Sequence, residues 1–266
     1  MVLLETGGVA RWSVCVRTVD GHDTVLSVAP DRVLKTASVA KLVLLVEVAS
    51  RISDGSLDGN EPLRRESTAP VHDSGLWQRL RTGVLTIHDA AVLVAAVSDN
   101  WATNALLRRV GLDAVQARGR ALGLRRTRLL DEVRDVRGQG DAPTLSVGSA
   151  AEWVSLLCRL ARREVGSRAV SEQVLDWMRA SVDLSMVASA LGLDPLSHWT
   201  RDRGVVLCNK TGTDVGVRAD VGIVSGRVEL AYACVATWDE SARPELRPAV
   251  LRDMRRLGEL VASRVL

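Results

Sequence analysis

The chain has 266 residues, 47% hydrophobic and 25% charged, with a net charge of +3 at neutral pH. That length can bury a sizeable core as one large domain or two lobes, and the small net charge argues against nucleic acid or membrane as a partner. The longest apolar run is broken by Lys41 and Glu47, which leaves it too short to span a bilayer.

Met1 to Ala10 lacks a basic segment followed by an apolar one. No signal peptide is visible, so a cytoplasmic location is expected if Met1 is the native start. Cys15, Cys158, Cys208 and Cys234 show no C-x-x-C or metal-ligand spacing. They read as small core residues, and neither a metal nor a cofactor is expected. His22, His72, His88 and His198 are scattered, and no G-x-S-x-G elbow accompanies them, which argues against a Ser-His-Asp triad.

In chain order, Arg11 to Val19 alternates and is rich in Val, and Asp20-Gly21 turns it into a second strand near Thr24 to Val28. Pro30 and Asp31 break the sheet before a helix that starts at Ser38 and ends near Ile52. Gly55, Gly59 and Pro62 mark a loop, and a polar linker runs to Ser74. Gly75-Leu76-Trp77 opens a short helix. Thr86-x-x-Asp89 is a capping box with Asp in place of Glu, and the apolar run Ala90 to Val97 leads to Ser98. Helices follow at Trp101 to Val110 and Asp113 to Leu122, each ended by Gly. Asp131 to Pro143 is polar and reads as a surface loop. Two amphipathic helices lie near Ser149 to Glu164 and Ala169 to Ala180. Val205 to Cys208, Ala219 to Val224 and Val228 to Ala236 read as strands, and a last helix spans Pro244 to Val265.

Three short stretches carry chemistry. In Ser38-Val39-Ala40-Lys41 the serine and lysine are three residues apart, which puts them on one helical face. A serine hydroxyl needs a neighbouring base, and the apolar run Leu42 to Val46 would bury the lysine and favour its neutral form. The chain holds 35 Lys+Arg, yet its only lysines are Lys35, Lys41 and Lys210. Arginine cannot give up its proton, so lysines that survive this bias stand where arginine would fail. Asparagine is also scarce, at Asn60, Asn100, Asn104 and Asn209. Ser98-Asp99-Asn100 follows a helical run, and Lys210-Thr211-Gly212-Thr213 follows a strand. A plain capping turn is the competing reading of Ser98-Asp99-Asn100, since all three residues favour caps.

Together, in this order, S-x-x-K, S-D-N and K-T-G resemble the motif set of class A β-lactamases and penicillin-binding proteins. The resemblance covers roughly Arg11 to the C-terminus. It implies an α+β fold: a five-stranded antiparallel sheet built from both termini and flanked by helices, with an inserted all-helical lobe. Residues 1–54 and 200–266 would form the α/β lobe and 55–199 the helical lobe, with the active site in the cleft between them.

By this resemblance Ser38 attacks a carbonyl carbon, and Lys41 takes its proton or holds a water that does. The Ser98 hydroxyl, between Lys41 and Lys210, relays a proton to the leaving nitrogen. Asn100 binds the substrate amide or steadies Lys41. Lys210 and Thr211 bind a substrate carboxylate, and Gly212 allows close approach to the backbone. The amides of Ser38 and Thr213 form the oxyanion hole. Arg218 either pairs with a carboxylate or is a solvated surface residue. One departure stands out. Class A β-lactamases carry a glutamate in the loop after Leu130 that activates water for deacylation. Here Glu132 is the only glutamate in a short loop and its neighbours do not match, so Glu132 is not expected to be that base.

Three readings of function remain open. The first is a serine hydrolase acylated by β-lactams, with weak deacylation. The second is a D,D-peptidase, amidase or esterase acting on an intracellular substrate. The third is a non-catalytic penicillin-binding sensor. Each takes a small amide or ester, β-lactam or peptide-like, and a monomer is expected.

Overall fold

Both ends of the chain feed one sheet. The structure, a computed structural model, describes Thr6 and residues 8–266, so most of the Met1 to Ala10 stretch lies outside the described residues. The first elements are β1 (Arg11–Thr18), β2 (Thr24–Val28), β3 (Leu34–Lys35), a 3₁₀ turn (Ala37–Ala40), α1 (Lys41–Ser53), β4 (Pro62–Arg64) and β5 (Val84–Thr86). Then come α2 (Ile87–Val97), α3 (Asn100–Val110), α4 (Leu112–Ala121), β6 (Arg128–Leu129), β7 (Ser146–Gly148), α5 (Ala150–Ala161) and α6 (Arg168–Arg179). A 3₁₀ turn (Val187–Leu191), β8 (Val206–Asp214), β9 (Val217–Ser225), β10 (Glu229–Thr237) and α7 (Leu246–Val265) complete the chain.

The main sheet has the order β2-β1-β10-β9-β8, and every pairing is antiparallel. This is the five-stranded sheet expected, with α1 to α6 inserted between its second and third strands in chain order. Alternation along β1 assigns its two faces. Trp12, Val14 and Val16 pack with Val250, Met254, Leu257 and Val261 of α7 and with the Val187–Leu191 turn. Cys15 faces the opposite side, where α5 packs on β9 and β10 and α6 on β8, and where α1 and α2 belong to the same core as Val221, Ile223, Ala231 and Ala233. Two covered faces explain why β8 to β10 are buried almost throughout.

Helix α1 is buried at every position from Lys41 to Ser50, as its all-round apolar sequence requires. Its start differs from expectation, because Ser38 precedes the α-helix and sits in the Ala37–Ala40 3₁₀ turn. The C-terminal strands also differ. The K-T-G-T stretch lies inside β8 rather than beyond its end, and Arg218 stands on β9 opposite Thr213. Lys210 and Gly212 are poor strand formers, but the ladder to β9 supplies the pairing. Two small pairings, β3-β7-β6 and β4-β5, were not legible. No helix among the described residues is long and apolar enough to cross a membrane.

Candidate active site

The Ser38 turn is held from two sides. Thr36 Oγ1 hydrogen-bonds Ser146 Oγ at 2.7 Å, and Ser146 Oγ donates to the Ala37 carbonyl at 2.6 Å. From β8, Gly212 lies against the turn: a Cβ built on it would meet the Thr36 carbonyl oxygen at 2.2 Å and the Ser38 nitrogen at 3.1 Å. What fills the space above Gly212 is thus the turn that carries the serine. Ser38 itself is partly exposed while Val39 and Ala40 are buried. In a 3₁₀ turn, side chains three apart eclipse, so the serine and Lys41 share a side.

Lys41 is wholly buried. Its Nζ donates to the Ser98 carbonyl at 2.7 Å, to Asn100 Oδ1 at 2.8 Å and to Ser98 Oγ at 3.3 Å. No hydrogen bond joins it to the Ser38 hydroxyl among the described residues. Burial holds its pKa well below 10.5 and the nearby Lys210 charge lowers it further, while Asp99 and Asp73 oppose. A lowered pKa favours the neutral amine, the form that can accept a proton.

Capping and site geometry coincide at the second motif. Ser98 ends α2 in the left-handed conformation, φ 55°, which turns both its carbonyl and its hydroxyl toward Lys41. Asp99 caps α3, accepting from the Ala102 amide at 2.9 Å. Its other oxygen accepts from the amides of Leu76 and Trp77 at 2.7 and 2.8 Å. Gly75, φ 120°, makes that approach possible, since a Cβ there would lie 2.4 Å from the Asp99 carboxyl.

Lys210 is also wholly buried and donates to the Thr211 carbonyl at 2.9 Å. Burial lowers its pKa from 10.5 to about 8, against the pull of Asp183 and Asp220. Behind it, Asp220 accepts from Tyr232 Oη at 3.0 Å, Asn209 Nδ2 at 3.3 Å and the Ala188 amide at 3.3 Å. Burial nevertheless raises Asp220 to about 7, and the buried Asn209 Oδ1 beside it has no hydrogen-bond partner among the described residues.

Two cavities meet at Ser38. One of about 170 Å³ is lined by Ser38, Ser98, Lys210, Thr211, Thr213 and Asp183. The other, about 520 Å³, is lined by Ser38, Asn100, Thr213, His72, Asp135 and Lys35 among others. The fold therefore gathers Ser38, Ser98, Asn100, Lys210, Thr211 and Thr213 from four separate elements and places Lys41 behind them. Gly212 lies beneath. Arg218 lines neither cavity: it is buried, its guanidinium 5.8 Å from the Trp238 ring centroid, and donates to the carbonyls of Asp214 and Val217 at 3.0 and 2.7 Å.

Residues 2–262 match the model of the beta-lactamase enzyme family. The chain belongs to that family. As a family member it is a serine hydrolase of the β-lactamase-like type. Its fold matches PBP-A at a TM-score of 0.80 and 20% identity, covering 98% of this chain and 92% of that one. The beta-lactamase from Sphaerobacter thermophilus superposes at 0.80 with 23% identity, covering 98% and 94%. A point mutant of PBP-A, solved as an acyl-enzyme complex with penicillin G, superposes at 0.79 with 20% identity, covering 98% and 92%. No curated protein matches the chain.

Within this β-lactamase-family site, three wall residues escaped sequence reading: His72, Asp135 and Asp183. Glu132 lines a different cavity, of about 790 Å³, together with Asn104, Arg108 and Val136. It is exposed and pairs with Arg134 at 3.1 Å. Among the described residues, no glutamate lines either cavity at Ser38. Among the described residues, no group of His, Cys, Asp and Glu is arranged to hold a metal ion.

Proposed function

We propose that Ser38 is the nucleophile of acyl transfer, that β-lactams or related small amides and esters acylate it, and that the acyl-enzyme is hydrolysed slowly. One observation carries the reading: a wholly buried lysine whose burial favours the neutral amine, one 3₁₀ turn from a partly exposed serine that opens into a cavity. Neutral Lys41 accepts the Ser38 proton, directly or through water, as the hydroxyl oxygen bonds to the carbonyl carbon. The amides of Ser38 and Thr213 stabilise the oxyanion. The Ser98 hydroxyl passes a proton to the leaving nitrogen as the C–N bond breaks, and is itself reprotonated from Lys41. Lys210 and Thr211 hold a substrate carboxylate at the far wall.

Slow deacylation is supported by the position of Glu132, which faces another cavity and is paired with Arg134. The decisive experiment is intact mass against time, for wild type and Ser38→Ala mixed with a penicillin. A wild-type adduct that is absent from the variant and decays over many minutes supports the proposal. An adduct that never decays marks a penicillin-binding sensor. No adduct at Ser38 overturns β-lactam acylation and moves the search to D-Ala-D-Ala peptides and esters.

A further inference from the structure

A continuous hydrogen-bond chain runs from the surface loop between β6 and β7 to the buried amine. Asp135 grips His72 at two points: it accepts from the His72 amide at 2.8 Å and contacts His72 Nδ1 at 2.6 Å. The His72 carbonyl accepts from Asn100 Nδ2 at 2.8 Å. Asn100 Oδ1 then accepts from Lys41 Nζ at 2.8 Å. Four segments that are distant in sequence take part.

The direction of each bond matters. An asparagine side chain offers donors at one end and an acceptor at the other, and a flip exchanges them. The His72 carbonyl can only accept, so it claims Nδ2 and leaves Oδ1 facing Lys41. The Ser98 carbonyl, also acceptor-only, takes a second N–H at 2.7 Å. A neutral amine has two N–H groups and one lone pair. With both N–H groups committed to these acceptors, the neutral amine keeps its lone pair free to take a proton, and the third contact, to Ser98 Oγ at 3.3 Å, is the longest of the three. A flipped Asn100 would present Nδ2 to Lys41 and occupy that lone pair.

We infer that Asp135 is a positioning residue for the Lys41 base, acting through His72 and the amide orientation of Asn100. This rests on the reading of Ser38 as nucleophile and Lys41 as its base. His72 and Asp135 side chains are 68% and 39% exposed, so it is the two-point grip that ties the loop to His72, alongside the buried Val71 and the Asn100 amide bond to the Ser74 carbonyl at 3.0 Å. His72 holds the Asp135 carboxyl below its ordinary pKa, first through the ring contact and then through the amide, as expected where both contacts favour the carboxylate. The other charged groups near Lys41 are Lys210 from β8, Asp99 at the α2–α3 junction and Asp73 beside His72. None of them can set the amide orientation.

The test compares wild type, Asp135→Ala, Asp135→Asn and His72→Ala by two readouts. Lysine labelled with ¹³C at Cε follows the titration without substrate, because only Lys35, Lys41 and Lys210 contribute signals. Adduct formation with a penicillin against pH follows acylation. Asp135→Ala should lower the Lys41 midpoint by about half a pH unit, as the acceptor favouring the charged form is lost. It should also slow acylation about tenfold by misdirecting the base, with little change in melting temperature. Asp135→Asn, which keeps an acceptor for the His72 amide, should recover part of both effects, and His72→Ala should fall between. An unchanged or raised Lys41 midpoint in Asp135→Ala overturns the role. If wild type forms no adduct, the acylation reading falls instead, and the Lys41 titration alone decides the role of Asp135.

Discussion

Gly212 faces the Thr36 carbonyl so closely that a methyl group built on its Cα would lie 2.2 Å from that oxygen. Strand β8 is pressed onto the turn bearing Ser38, and this contact sets how Thr213 stands relative to the serine. The opposing atom belongs to the backbone, so no side-chain rotation relieves the clash. Gly212→Ala should cost about 1–3 kcal/mol, the range for overpacking, and slow adduct formation about 100-fold by displacing the serine. Urea unfolding and time-resolved intact mass measure the two effects. A folded variant that acylates at the wild-type rate would show that the contact does not set the geometry.

Asp99 should matter more to stability than its place between two candidate site residues suggests. It caps α3 and also binds the amides of Leu76 and Trp77. Asp99→Ala loses a cap, about 1 kcal/mol, and leaves two further N–H groups without a partner, at about 1–3 kcal/mol each. We expect a loss of roughly 3 kcal/mol or more by the same principle, measured by denaturant unfolding. Asp99→Asn should keep the cap and lose part of the rest. A cost under about 1 kcal/mol for the alanine variant would mean that water replaces the carboxylate.

Stability should rise with pH at Lys210. Its pKa falls from 10.5 to about 8 on folding, so between these values the unfolded chain binds more protons and deprotonation favours the fold. Below about pH 8 the folded protein carries a buried ammonium at full cost, and above 10.5 that cost is gone. Measured against Lys210→Met, wild-type stability should therefore climb between pH 8 and 10.5. A flat difference across that window would mean that Lys210 keeps its ordinary pKa in the fold.

Much of the architecture was legible because its signals are local. Alternation marked β1, strand-like apolar runs marked β9 and β10, and amphipathic periodicity marked α5 and α6. The all-round apolar run Leu42 to Val46 marked α1 as buried, and the scarcity of lysine drew attention to Lys41 and Lys210. The capping reading of Ser98-Asp99-Asn100 does not compete with its place at the candidate site: Ser98 ends α2, Asp99 caps α3 and Asn100 contacts Lys41.

What sequence by itself determined is the list of reactive groups and the elements carrying them, since periodicity and motif spacing depend on near neighbours. Only the tertiary structure decided their relations. It placed Ser38 in a 3₁₀ turn braced by Ser146, drew Lys210 to Thr213 into a strand through the β9 ladder, and buried Arg218 against Trp238. It also turned Glu132 toward another cavity and joined Asp135 to His72, 63 residues away. Such contacts form because packing brings distant segments within hydrogen-bond reach. The orientation of one amide, Asn100, then depends on a carbonyl that no local pattern in the chain records.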